Sequence, residues 1–87
     1  MAYSVQFTAA AAKSLNKLDL SIAVRIKPKI LELSQNPRPS GSKKLAGTDD
    51  LHRIRVGDYR IVYRVDDRKQ LVEITIVAHR RDVYRGL

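Results

Sequence analysis

Apolar positions along the chain follow two periods. From Ala2 to Phe7, Tyr3, Val5 and Phe7 alternate with Ala2, Ser4 and Gln6, the pattern of a strand. Thr8 is placed to cap a short helix over Ala9 to Lys17, with Ala9, Ala12 and Leu15 on one side. Asp19 can cap a second helix reaching about Asn36. There Ile22, Ile26, Ile30 and Leu33 recur at helical spacing, and Val24 and Leu31 widen the stripe. Pro28 costs roughly 3 kcal/mol inside a helix and should kink it. The stripe nevertheless keeps its phase across Pro28, so one kinked helix is expected rather than two. Pro37, Pro39 and Gly41 end it and open a loop.

From Leu51 onward the period becomes two, and three strands in a meander are expected. Gly57-Asp58 separates two alternating runs as a two-residue hairpin loop. That loop pairs Val56 with Tyr59, Arg55 with Arg60, Ile54 with Ile61, Arg53 with Val62 and His52 with Tyr63. Ile54, Val56, Tyr59, Ile61 and Tyr63 then share a core face, and Arg53, Arg55, Arg60 and Arg64 the opposite face. A four-residue loop, Asp67 to Gln70, pairs Val65 with Val72, Arg64 with Glu73, Tyr63 with Ile74, Val62 with Thr75, Ile61 with Ile76 and Arg60 with Val77. This register gives Arg64 an acidic partner, gives Arg60 none, and brings His79 out on the face of Arg60. The order β-α-α-β-β-β reads as one α+β domain over residues 1–87: a small antiparallel-meander sheet with two N-terminal helices packed on one face and the other face exposed. Pattern alone leaves the place of the first strand open.

Composition sharpens the reading of that second face. The chain carries a formal net charge of +8 and a pI near 10.2, which favours a nucleic acid, an anionic surface or an acidic protein as partner. Arg55 and Arg60 face each other across the hairpin, and like charges there destabilise a sheet. Guanidiniums gathered at that cost fit a bound phosphate; a solvated arginine-rich face is the competing reading. Lys43-Lys44 leads into these strands as a candidate nucleic-acid contact, against the simpler role of a solvated pair. There is no cysteine, and His52 and His79 lack companions at metal-ligand spacing, so no metal or cofactor is expected. No apolar run approaches the roughly 20 residues of a membrane span. Gln6 and Lys13 interrupt anything resembling a secretory signal, so a cytoplasmic protein is expected.

The opening AYSVQF, the KKLAG loop, the segment LHRIRVGDYRIVYRVDD and the terminal HRRDVYR together resemble the RelE/ParE superfamily of bacterial toxin–antitoxin toxins, most closely its RelE branch. RIRVGDYRIVY is the most specific part. The resemblance implies the RelE-like microbial RNase fold and a cytoplasmic toxin that enters the ribosomal A site, cuts mRNA and is neutralised by a cognate RelB-like antitoxin carrying an acidic helix. It assigns catalytic roles to Arg53, Arg55, Arg60, Arg80 and Tyr84. Arg53 and Arg55 stand where the best-studied branch has lysines, and the shorter spacing before Tyr84 makes Arg81 a competitor of Arg80.

The implied reaction needs no metal. The ribose 2′-OH attacks phosphorus, the 5′-oxygen leaves, and a 2′,3′-cyclic phosphate remains. It requires a base, an acid and cations for the phosphorane. Clustered positive charge lowering the Tyr84 pKa would make it the base, with Arg80 as acid. His79 is the rival, its ordinary pKa being about 6.5; Tyr84 simply closing the sheet edge is the structural alternative. A ParE-like inhibitor of DNA gyrase would share the fold without the catalytic set. A plain RNA-binding module is disfavoured, because Tyr59 and Tyr63 point into the core and leave no stacking platform.

Overall fold

The computed structural model of the chain describes residues 2–45 and 51–79. In order these form β1 (Ser4–Phe7), α1 (Ala9–Asn16), α2 (Leu20–Gln35), β2 (Lys43–Lys44), β3 (Leu51–Val56), β4 (Tyr59–Asp66) and β5 (Leu71–His79). The strands make one sheet in the order β1-β5-β4-β3-β2. The expected meander β3-β4-β5 is present, and the helices cover one face. The first strand joins the outer side of β5, parallel to it, and a two-residue strand β2 that the pattern did not announce borders β3.

Local chemistry sets the helix ends. Thr8 is in extended backbone, and its Oγ1 accepts the Ala11 N–H at 3.1 Å. On α1 the buried residue is Ala11, with Leu15 packed against the core and Ala9 exposed, so the buried side lies one step from the Ala9–Ala12–Leu15 side. Pro28 is accommodated inside α2 without breaking it. The carbonyl that loses its donor belongs to Val24, and both Pro28 and Val24 are exposed, so water can serve that oxygen.

The core-facing side of α2 is Ala23, Ile26, Ile30 and Leu33. Val24 and Leu31 do not widen it: they are 57% and 67% exposed and, with Leu20, run along the outer face of the helix. Leu31 and Phe7, together with Val5, Leu15, Lys27 and Ile30, frame an apolar groove of about 340 Å³ beside β1. On the sheet, Ile54, Val56, Ile61, Tyr63, Val65, Val72, Ile74 and Val77 meet the helices in one core. No helix among the described residues is long and apolar enough to cross a membrane.

Polar contacts tie the loop after α2 to the far end of the sheet. Arg38 grips Asp67 with both terminal nitrogens, at 3.2 and 3.0 Å, and the Tyr3 hydroxyl donates to the same carboxylate at 2.7 Å. Tyr63, fully buried, donates to the Pro37 carbonyl at 2.7 Å, and His52 stacks on its ring. Donation from Arg38, then from Tyr3, holds the Asp67 carboxyl below its ordinary value. A depressed folded-state pKa stabilises the fold above the unfolded value of about 4. That stabilisation disappears as pH falls through the lower folded value. Asp67→Asn is therefore expected to lower the melting temperature at neutral pH, modestly because the group is exposed. The difference from the parent should shrink as pH falls through that lowered value; a gap in thermal melts that does not narrow with acidification would contradict this.

Candidate active site on the basic hairpin face

The site is built on the β3–β4 hairpin, whose observed register is the expected one from Val56↔Tyr59 to His52↔Tyr63. Gly57 has φ +59, and Asp58 is not in the left-handed region. This is the arrangement of a type II′ turn, which takes glycine first and explains why the order is Gly-Asp. A two-residue loop closes on a hydrogen-bonded pair at Val56 and Tyr59. The next pair, Arg55 and Arg60, is then of the non-hydrogen-bonded kind, with Cα atoms only about 4.5 Å apart.

Arg53, Arg55, Arg60, Lys43 and Gly41 line one cavity of about 270 Å³. Arg60 is only 7% exposed, and its Nη1 is buried with no hydrogen-bond partner. Among the described residues no carboxylate forms an ion pair with Arg55 or Arg60. An unpaired buried guanidinium is costly and needs an anion to complete it. Arg64 instead meets Glu73 at 3.6 Å, as its register requires. Lys43 reaches the cavity because it is opposite Arg53. Lys44 is opposite His52, which faces the core, so alternation takes it away from the cavity.

His79 is not where simple pairing puts it. The β4–β5 register holds from Asp66↔Leu71 to Tyr63↔Ile74, then shifts by one between Val62 and Tyr63, so that Val62 pairs with Ile76 and Arg60 with Ala78. Thr75 is the extra residue of this bulge, and its hydroxyl donates to the Val62 carbonyl at 3.1 Å. The shift turns Val77 into the core and His79 to the helix side. There its ring meets Tyr59 edge-on at 5.5 Å, in a small cleft with Ile22, Arg25, Ile26, Val56 and Asp58. His79 and Arg60 therefore occupy opposite faces, not the shared face that the expected register gives. The outer face also differs from an open solvated surface, since Val62 is fully buried on it.

Sequence reading missed Gly41. Its φ of +93 turns the chain toward the start of β2, and a side chain there would project into open space, so the backbone forms the wall of the cavity. The available signal was Pro39-Ser40-Gly41, a turn sequence immediately before the basic pair. Among the described residues no group of three or more His, Asp or Glu is placed to hold a metal ion. Arg80, Arg81 and Tyr84 lie outside the described residues.

Comparison with known proteins gives the family of the chain. Residues 5–84 match the model of the ParE toxin family of type II toxin–antitoxin systems. Toxin RelG of Mycobacterium tuberculosis is 39% identical, over 98% of this chain and 99% of its own length. The chain is a RelE-like toxin of the ParE toxin family. The mRNA interferase toxin RelE of Escherichia coli is 34% identical to this RelE-like toxin, over 92% of this chain and 85% of its own. The crystal structure of the intact E. coli RelBE toxin–antitoxin complex superimposes with a TM-score of 0.81 at 32% identity, covering 90% of this chain and 96% of that one. The matched span of the RelE-like toxin takes in the whole basic hairpin and the positions of Arg80, Arg81 and Tyr84.

Proposed function

We propose that this RelE-like toxin is a ribosome-dependent endoribonuclease that cleaves mRNA in the A site and so arrests translation in the cytoplasm. The observation that carries the reading is the cationic cavity with the unpartnered Nη1 of Arg60 at its wall. The name of the E. coli relative, mRNA interferase, supports it. The 2′-OH attacks phosphorus while its proton passes to a base. The bond from phosphorus to the 5′-oxygen breaks, and that oxygen takes a proton from an acid. Arg60 and Arg55, with Arg53 and Lys43 beside them, neutralise the extra charge of the phosphorane. Arg80 as acid and Tyr84 as base complete the set, with Arg81 as an RNA contact.

The basic cavity is open, and its cations attract any phosphodiester alike. Orientation for in-line attack is worth about 7–11 kcal/mol, and here the ribosome supplies it. The partner that silences the toxin is a RelB-like antitoxin, as in the RelBE complex of E. coli. Inducing the chain without antitoxin is expected to produce discrete mRNA 5′ ends on translated messages, while plasmid supercoiling stays normal. Purified toxin should cut naked RNA poorly. Intact mRNA with poisoned gyrase would replace this reading with the gyrase-directed one.

A further inference from the structure

A second cavity, of about 200 Å³, adjoins the arginine cavity and is lined by Lys29, Glu32, Pro39, Ser40, Gly41, Ile54 and Arg55. The two share Gly41 and Arg55. Their chemistry differs. The first is lined by four cations, as a phosphodiester requires. The second holds a carboxylate, which the first lacks, beside an ammonium, the shared Arg55 guanidinium, a hydroxyl and the apolar surfaces of Pro39 and Ile54. Flat apolar contacts flanked by a few hydrogen-bonding groups suit an unstacked nucleobase. No side chain separates the cavities at Gly41, so a ribose can pass over the backbone there.

Past Lys43 the described residues offer β3 no further partner on this edge, β2 pairing with Arg53 and His52. The second cavity occupies this gap at Ile54 and Arg55, between the strand edge and the Pro39–Ser42 turn, which is closed by the Ser42 N–H donating to the Pro39 carbonyl at 3.0 Å. Glu32 and Lys29 form a loose pair at 3.8 Å, each more than half exposed. Such a pair contributes little to stability, so both groups can turn to a ligand.

We infer that this cavity is a base subsite for a nucleotide adjoining the cleaved linkage, in which Glu32 favours bases bearing an exocyclic amino group over uracil. The inference rests on the ribonuclease reading above. A carboxylate only accepts hydrogen bonds, and adenine, cytosine and guanine offer it an amino group. Uracil presents two carbonyl oxygens around its single N–H, and these face the carboxylate unfavourably. Lys29 supplies the complementary donor for a ring nitrogen or carbonyl.

The experiment is genome-wide mapping of mRNA 5′ ends after induction of the full chain without antitoxin, comparing the parent with Glu32→Gln and Glu32→Ala. The parent is expected to be depleted of uridine at one position flanking the cut. Both variants should raise the share of cuts with uridine there by roughly five- to tenfold, Glu32→Gln the more because its amide can donate to a uracil oxygen. Glu32 is an exposed helix residue, so the fold tolerates both changes, and a share of cut sites is insensitive to the amount of folded toxin. Cuts with an unchanged base distribution in both variants would overturn the subsite and leave the ribonuclease reading standing. An absence of cuts by the parent would overturn both.

Discussion

Arg60→Met is expected to make the toxin more stable and nearly inactive. Arg60 is almost wholly buried, its Nη1 lacks a partner, and it stands directly opposite Arg55. An unsatisfied buried polar group costs about 1–3 kcal/mol, more when charged, and a like-charge cross-strand pair adds to that. Methionine keeps the unbranched stem and removes both penalties, so a gain of about 1–2 kcal/mol is expected, or roughly 4–16 °C in melting temperature for a domain of this size. Cleavage of ribosome-bound mRNA should fall about 10²–10³-fold, the usual cost of deleting one charge-stabilising donor. Arg64→Met is the control: its guanidinium pairs with Glu73, so activity should stay close to that of the parent. A destabilised Arg60→Met protein, or one that keeps more than about a tenth of the parent cleavage, would show that the guanidinium serves the fold.

Ile26→Ala is expected to cause the largest loss of stability. Ile26 is fully buried at the middle of α2, where the helix covers the hairpin end of the sheet. It also borders the cleft of about 100 Å³ that holds His79 and Tyr59. Truncation enlarges a space that is already imperfectly filled, and collapse is limited because Arg25 lies against Gly57, 3.2 Å from where a Cβ would stand. About 3–4 kcal/mol is expected, a large share of the total for an 87-residue domain. Urea unfolding would read this directly. A loss below about 1 kcal/mol would mean that α2 repacks freely on the sheet.

The basic hairpin was legible because every signal for it is local. Gly57-Asp58 sets the turn, the turn sets the register, and alternation then sorts the arginines from the core residues. The helix caps and the continuity of α2 across Pro28 were readable for the same reason. Side-chain hydrophobicity misled at Val24 and Leu31. A helix lying on one face of a sheet buries one stripe and turns its other side to solvent, so those residues stay outside.

His79 failed for a different reason. Thr75 is β-branched and sits in an unbroken strand pattern, Leu71 to His79, with no glycine or proline to announce a bulge. The bulge is held from outside the strand: Thr8 Oγ1 donates to the Thr75 carbonyl at 3.4 Å, and the Thr8 N–H to Ile74 at 3.0 Å, both from the start of α1. One residue of slip reverses the face of everything beyond it.

Taken alone, the order of residues determined the helix–helix–meander architecture, the pairing of Arg55 with Arg60 and the likeness to the toxin family, all of which depend on neighbours in the chain. Tertiary structure decided what those neighbours cannot specify. It placed the first strand against β5, set His79 against Tyr59, buried Arg60 without a counter-charge among the described residues, and brought Lys43 and Gly41 to the arginines. The physical reason is that burial, and the bulge that redirects a strand, arise from contacts between segments far apart in sequence, where periodicity carries no information.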